Sequence, residues 1–231
     1  MIKKIFILFL FVLFFLIGIG IIKFFSSSFF DIKYIVVQED KRFKEDVILA
    51  TKEFFKKNYR ILTPNIFRLN KKALSRSILS DIRIKDVKIK KIPPNKIIII
   101  VFPRKAWAWI REGFGVDEKG FVFPIETTEG IPFIRGFSGI KQGRRIDVEN
   151  LVFLWTKMKD FLFFEKVKEF LLKGDKIFFL IDGLWVCVPS EKEDMLKNLI
   201  KLDVVLKTDL NNVKMIDLSY DDVLLSSSSS F

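Results

Sequence analysis

The hydrophobic pattern begins with one long apolar run and then breaks into short amphipathic segments. Residues 5–22, between Lys4 and Lys23, are 18 uncharged and almost wholly apolar residues. As a helix they measure ~27 Å at ~1.5 Å per residue, about one hydrocarbon core. Phe24 and Phe25 extend the run, so the pattern predicts a transmembrane helix over 5–25. A cleaved signal peptide, with Ser26-Ser27-Ser28 as its small-residue site, is the alternative. Lysines flank both ends of the run, so charge alone does not orient it.

Residues 31–103 alternate between strand and helix periodicity. Residues 34–37 are a β-branched strand, and residues 42–59 place apolar side chains on one helical face. A short helix over 71–79 follows, with Asn70 as its N-cap. Residues 84–92 alternate apolar and basic positions, and the apolar run 97–102 returns after Pro93-Pro94. The order strand, helix, helix, strand, strand predicts two helices on one face of a three-stranded sheet. The predicted core includes Ile35, Val37, Val47, Phe54, Leu74, Val87, Ile89, Ile98 and Ile100.

Residues 105–222 favour hairpins, with two helices among them. Gly120 suits a left-handed position in a hairpin over 113–125, and Asp182-Gly183 suits a type I′ turn within 177–188. Asp147 is a plausible cap for a helix over 147–162. Ser190 and Glu193 have capping-box spacing for a helix that ends near Leu206. Residues 164–172 fit a strand or a helix extension, and 213–220 is a late strand. The inward stripe of the first helix is Leu151, Leu154, Trp155, Met158 and Leu162.

Charge and composition argue against catalysis. The formal net charge is +12, and the chain has no His and one Cys, Cys187. The commonest general base is therefore missing, and no intramolecular disulfide can form. Ser138 and Lys141 match the S-x-x-K motif of penicillin-binding enzymes, but no SDN-like or KTG-like element follows. Acidic residues near 191–194 and 221–222 sit where surface acids are ordinary. We expect no cofactor, no metal and no small-molecule substrate.

The strand 84–92 carries the densest positive charge. Lys88, Lys90, Lys91 and Lys96 form a predicted basic surface. It is either a solvated face of a lysine-rich protein or a surface that attracts anionic lipid heads or acidic partners. Nucleic acid is not expected, because an apolar anchor precedes this surface and no recognised nucleic-acid motif accompanies it.

Four segments in order resemble the FtsQ/DivIB family of bacterial cell division proteins. IRIKDVKIKKIPPNKIIIIVFPRKAWAW at 82–109 is similar to the family's alternating strand, Pro-containing turn, apolar strand and aromatic segment. VDEKGFVF at 116–123, IPFIRG at 131–136 and IDLSY at 216–220 resemble three further family motifs. Order and spacing agree over roughly residues 5–222. Ser219 stands where the family commonly has Arg, and Pro103-Arg104 stands where it commonly has Glu.

The resemblance implies an α+β protein: a cytoplasmic tail at 1–4, the transmembrane helix, a POTRA domain (β-α-α-β-β) at 31–103, and a mostly antiparallel β domain with two helices at 104–222. Residues 223–231 would be an edge strand or a flexible tail. It also implies a single-pass inner-membrane protein of the division septum with extracytoplasmic domains. It implies a non-enzymatic scaffold that binds FtsB/FtsL and associated septal synthesis proteins. The implied partner-binding residues are Ile216, Asp217, Leu218, Tyr220, Asp221, Val223, Leu224 and Leu225.

Two other classes of protein remain open on the residues alone. A POTRA-bearing transport or outer-membrane assembly component usually continues into a long barrel, and only ~120 residues follow here. A membrane-anchored Ser/Lys hydrolase would use Ser138 as its nucleophile.

Overall fold

The chain forms two compact α+β units. The computed structural model describes residues 2–38, 41–137 and 139–227, with side chains from Phe9 onwards. One unit ends at Arg104 and the other begins at Lys105. The predicted cytoplasmic tail at 1–4 has no described side chains, and the end of the serine run, from 228 onwards, lies outside the described residues. Ser138, the serine of the S-x-x-K motif, also lies outside them, so it has no described geometry.

The first unit opens with a long helix. Helix α1 spans Ile2–Phe25 and is followed by a 3-10 turn at Ser28–Phe30. Over the described residues, no helix combines the length and the apolar character needed to cross a membrane.

Beyond α1, the first unit has the predicted strand, helix, helix, strand, strand order. Strand β1 runs parallel to β3, and β2 pairs with β3 in antiparallel fashion, so β3 is the central strand. The predicted topology of this unit is confirmed. Its elements are β1 (Tyr34–Gln38), α2 (Lys44–Tyr59), α3 (Lys71–Ile78), β2 (Ile84–Ile92) and β3 (Lys96–Pro103).

Helix α2 buries the face that its sequence indicates, and α3 begins at its predicted N-cap. Five side chains of the predicted face of α2 are buried, and the Thr51 hydroxyl donates to the Val47 carbonyl at 2.7 Å. The Asn70 side chain accepts from the backbone N–H of Ala73 at 3.1 Å, which confirms the N-cap of α3. Leu74 and Ile78 are buried. The five buried residues are Phe43, Val47, Thr51, Phe54 and Phe55.

The central strand β3 faces the other way from the sequence prediction. Ile97, Ile99 and Val101 are fully buried, whereas Ile98 and Ile100 are only half-buried on the opposite face. A strand has a period of two, and an unbroken apolar run does not reveal which phase points inward. Pairing decides the phase: Val37 lies opposite Ile99 on one side, and Val87 lies opposite Val101 on the other.

The second unit is one sheet of nine strands with two helices. The strand order is β12-β11-β10-β9-β8-β7-β4-β5-β6. Among the described residues, five of its eight pairings are antiparallel. The strands are β4 (Ala108–Arg111), β5 (Phe114–Val116), β6 (Val122–Pro124), β7 (Phe133–Arg135), β8 (Val167–Lys173), β9 (Lys176–Ile181), β10 (Leu184–Pro189), β11 (Met215–Asp217) and β12 (Leu224–Ser226). The helices are α4 (Glu149–Met158) and α5 (Lys192–Val205).

The helices of the second unit correct two sequence predictions. Helix α4 ends at Met158, so Leu162 leaves the predicted stripe and is 91% exposed. The capping box is wrong, because Glu191 is the N-cap of α5 without a side-chain hydrogen bond and the Ser190 N–H bonds to Asp175 instead. The open question at 164–172 is answered by a 3-10 turn followed by β8. The Asp182-Gly183 hairpin is confirmed, with positive φ at both residues.

Candidate functional site

The C-terminal strands form one edge of the nine-stranded sheet. Strand β11 runs parallel to β10 on one side and antiparallel to β12 on the other. Asp217 lies opposite Leu224, and Ile216 lies opposite Leu225. Strand β12 is the last strand in the order, and an edge strand presents one side of its backbone for further pairing.

The residues that the resemblance implicated divide into a buried set and an exposed set. Ile216 and Leu218 are buried in the core, so their side chains hold β11 in place rather than reach a partner. Tyr220, Leu224 and Leu225 are 57%, 50% and 53% exposed, and Asp221 is also exposed. Leu224 and Leu225 are neighbours on a strand and point to opposite faces, yet both are exposed. Strand β12 therefore stands beyond the packed core.

A polar cluster holds the turn after β11. The Asp217 carboxylate accepts from both the backbone N–H (2.9 Å) and the hydroxyl of Ser219. The Lys176 ammonium lies 3.5 Å from the other carboxylate oxygen and 5.0 Å from the centre of the Tyr220 ring. Lys201 donates to the backbone carbonyl of Asp221 at 2.9 Å. These contacts fix the backbone that presents Tyr220 at the edge.

The electrostatics of this cluster keep Asp217 ionised. Burial alone would raise the pKa of Asp217, but the hydrogen bonds from Ser219 and the charge of Lys176 outweigh it, so the pKa lies below its ordinary value. Burial, followed by the negative charge of Asp217, raises the pKa of Cys187 to about 12. Cys187 is therefore a protonated thiol at neutral pH, without the thiolate that nucleophilic chemistry requires.

The predicted basic surface is split between two faces of the first sheet. Lys88 and Lys90 lie opposite the half-buried Ile100 and Ile98, on the face away from the core. Lys96 shares that face by alternation along β3. Lys91 lies opposite the buried Ile97, and its ammonium donates to the Phe67 carbonyl at 3.4 Å. Burial and, secondly, the charge of Lys71 lower the pKa of Lys91.

Comparison with known proteins finds two partial matches to cell division proteins. No family model matches the chain. A cell division protein DivIB of Clostridium acetobutylicum is 37% identical over 100 residues, which are 42% of this chain and 38% of that protein. A cell division protein DivIB of Clostridium tetani is 31% identical over 101 residues, which are 42% of this chain and 36% of that protein. Over this region the chain is similar to cell division proteins named DivIB. The matched region spans less than two fifths of the length of each of these relatives.

The sequence predicted a late strand at this edge of the sheet but did not indicate the residues that brace it. Lys176 is 41 positions from Asp217 and reaches it only because β9 and β11 flank β10. Ser219, which stands in place of the common family Arg, binds Asp217 through its hydroxyl and lies 3.9 Å from the Cys187 sulfur. No local sequence signal marks either contact. Within the described ranges, no group of three or more Cys, Asp and Glu side chains is placed to hold a metal ion.

Acid is expected to loosen the turn after β11. The pKa of Asp217 is lower in the folded protein than in the unfolded chain, where it is ~4. Its carboxylate therefore stabilises the fold at pH values above ~4, and this contribution is lost as the pH falls through the folded-state pKa. We expect the melting midpoint below pH ~4 to fall by a few degrees more in the parent than in Asp217→Asn. Tryptophan emission measures this, because Trp185 on β10 lies opposite Met215 on β11. Identical acid profiles of the two proteins would contradict the assignment.

Proposed function

We propose that this chain is a non-enzymatic scaffold of cell division. It would link early and late division proteins at the septum and bind FtsB/FtsL through the edge of its second unit. The partial similarity supports the cell division role, since both matched relatives are named cell division proteins. The observation that carries the binding proposal is the exposed edge strand β12, with exposed leucines on both of its faces.

Strand addition is the binding mode that this edge favours. A partner strand that pairs with β12 would satisfy its outward N–H and C=O groups and give affinity through the backbone. Leu224 and Leu225 would each be covered on one face of the extended sheet. Tyr220 offers an apolar ring with a polar tip, which is the usual composition of an interface anchor. Asp217, Asp221 and Val223 complete the proposed contact region through the backbone of the turn.

The first unit, on this proposal, is a POTRA domain tethered by a membrane anchor. Helix α1 has 24 residues and is about 36 Å long at ~1.5 Å per residue, which exceeds the ~30 Å hydrocarbon core. The apolar run in the sequence begins at Ile5, but the described side chains begin at Phe9. The finding that no described helix could cross a membrane therefore does not cover the first residues of this run. Fourteen large apolar side chains from Phe9 to Phe25 are exposed, as on a helix surrounded by lipid. The N-terminus would be cytoplasmic, and the part of the first unit that follows α1 and the whole second unit would be extracytoplasmic.

Capture of a purified FtsB/FtsL pair by the detergent-solubilised full chain tests the binding proposal. We expect Tyr220→Ala to weaken capture at least ~30-fold, because truncating an interface anchor costs ~2 kcal/mol or more. Removal of residues 223–231 should abolish capture, because it removes β12. A third variant, Leu162→Ala, changes a residue that is 91% exposed elsewhere in the same unit and should capture normally.

Tryptophan emission of each variant must match the parent, which separates lost binding from lost folding. All four tryptophans lie in the second unit, at positions 107, 109, 155 and 185. Undiminished capture by both folded edge variants would refute the docking edge. Imaging of a fluorescently tagged chain in dividing cells tests the scaffold role separately: a diffuse envelope signal without enrichment at midcell would contradict it.

A further inference from the structure

The end of α1 is fastened to the first unit by the segment 64–68. The Asn65 side-chain amide donates to the Phe25 carbonyl at 2.8 Å and lies 3.4 Å from the Ser27 carbonyl. The backbone N–H of Ile66 donates to Phe30 at 2.8 Å, and that of Ile32 donates to Pro64 at 3.0 Å. Asn65 is itself buried. These bonds place the segment directly beside the point where the helix ends.

Aromatic packing reinforces the same junction. The Phe67 ring meets the Phe25 ring edge-on, with centroids 5.1 Å apart, and lies 5.0 Å from the Phe30 ring. Phe29 meets Phe30 at 5.0 Å. Such ring pairs stabilise a contact by roughly 0.5–1.5 kcal/mol beyond the area they bury. The position of Phe67 relative to the helix end is therefore set by backbone bonds and by ring packing together.

The loop between α2 and α3, residues 60–70, has buried side chains towards the core and exposed apolar side chains on its outer side. Ile66 and Leu69 are buried in the core, and the Tyr59 hydroxyl accepts from the Asn70 N–H and donates to the Arg68 carbonyl. Four large apolar side chains face outward here: Phe29 (57% exposed), Ile61 (51%), Leu62 (62%) and Phe67 (46%). Leu62 is two residues from Pro64, so it lies within ~7 Å of that anchored position. We call these four residues the apolar rim.

Basic side chains lie next to parts of the apolar rim. Arg60 and Arg68 belong to the same loop and are exposed. The Lys91 ammonium bonds to the Phe67 carbonyl, and the charge of Lys71 acts on it. A guanidinium nitrogen of Arg68 lies 3.5 Å from the Ser26 hydroxyl, at the end of α1. Exposed apolar side chains next to basic ones are the composition of surfaces that enter the headgroup region of anionic membranes.

We propose that the apolar rim inserts into the headgroup region of an anionic bilayer, with Arg60, Arg68, Lys71 and Lys91 contacting lipid phosphates. The inference rests on the proposed function, in which α1 crosses the membrane. Residues bonded to the last turn of a membrane-spanning helix lie at the depth of the bilayer interface, where aromatic rings and snorkelling cations are favoured. The first unit then has two attachments, the helix and the rim, and its orientation on the membrane is restrained.

Fluorescent labelling of the full chain in lipid nanodiscs tests this proposal. An NBD dye on Leu62→Cys would report the rim, and the same dye on Leu49→Cys, an exposed leucine of α2, is the matched control. The native Cys187 is buried with a pKa of about 12 and should not label. We expect blue-shifted emission and quenching by headgroup-proximal doxyl lipids at position 62, at least ~2-fold above that at position 49. Equal emission and quenching at the two positions would contradict the insertion of the apolar rim into the membrane.

A third label separates failure of the rim from failure of the anchor. Phe14 is an exposed residue in the middle of α1, and a dye on Phe14→Cys should be quenched by lipids that carry doxyl groups deep in the acyl chain. Quenching at position 14 without quenching at position 62 would contradict the insertion of the apolar rim but would agree with a membrane-spanning α1. No quenching at 14 overturns both.

The lipid charge is tested with the same Leu62 probe. Phosphatidylglycerol nanodiscs should give the blue shift, and phosphatidylcholine nanodiscs should give roughly half of it or less. Adding Arg68→Gln and Lys91→Gln to the labelled chain should reproduce the phosphatidylcholine result in phosphatidylglycerol. A blue shift that is the same in both lipids and in the double variant would overturn the role of the cations.

Discussion

Ile99→Asp is expected to unfold the first unit, whereas Ile100→Asp is expected to leave it folded. Ile99 is fully buried on the central strand β3, opposite Val37 and Ile89. A carboxylate there has no partner and replaces a packed side chain, which costs more than ~4 kcal/mol. Ile100 is half-buried on the opposite face, where the carboxylate stays hydrated and Lys88 lies opposite it. We expect that substitution to cost less than ~1.5 kcal/mol.

Hydrogen exchange followed by mass spectrometry of peptides measures this difference. Peptides from residues 34–103 should lose protection in Ile99→Asp and keep it in Ile100→Asp. Tryptophan emission should not change in either variant, because all four tryptophans lie beyond residue 104. Greater loss in Ile100→Asp would mean that the opposite phase of β3 faces the core, and equal loss in the two variants would contradict the difference in burial between Ile99 and Ile100.

Gly120→Ala should have the largest effect of any single methyl addition in the second unit. Gly120 has a φ of +76°, and a Cβ at this position would lie 2.0 Å from the Ile146 carbonyl oxygen. The contact is to backbone, and the Gly120 carbonyl itself accepts from the Ile146 N–H at 2.9 Å. An alanine must therefore break the pairing between 120–122 and 143–146. We expect a loss of at least ~3 kcal/mol of unfolding free energy.

Gly130→Ala is the matched control for the backbone conformation. Gly130 has a φ of +74°, and nothing lies within 4 Å of the position that an alanine Cβ would occupy there. Its substitution should cost only the ~1–2 kcal/mol of a left-handed non-glycine residue. Denaturant titration followed by tryptophan emission compares the two variants. If they shift the midpoint equally, backbone strain alone explains the effect at Gly120, and the close approach to Ile146 contributes nothing.

Local periodicity was sufficient to predict most elements of the fold. The face of α2, the cap of α3 and the β9–β10 hairpin each depend on residues within a few positions of one another, so they can be read from short windows of sequence. The order of elements in the first unit followed directly from them. The predicted ends of the helices were less accurate: α4 stops before Leu162, and Ser190 bonds to Asp175 rather than capping α5.

The sequence predicted where the candidate edge lies in the chain, but not which of its side chains are exposed. The sequence indicated a late strand near Ile216, and IDLSY at 216–220 resembles a motif of the FtsQ/DivIB family. That Ile216 and Leu218 are buried while Leu224 and Leu225 are exposed depends on the neighbours of β11 and β12 in the sheet. Sequence alone therefore could not separate the residues that support the edge from those that a partner could touch.

By itself, the sequence determined the α+β character, the succession of helices and strands and the resemblance to the FtsQ/DivIB family, because these depend on motifs and on apolar spacing along the chain. Only the tertiary structure decided which face of β3 is buried, which lysines share a surface, and that Lys176 braces Asp217. It also joined Asn65 to the end of α1, 40 residues away. Each of these depends on strand register or on contacts between distant segments, and an apolar run such as 97–102 is compatible with either register until its neighbours pair with it.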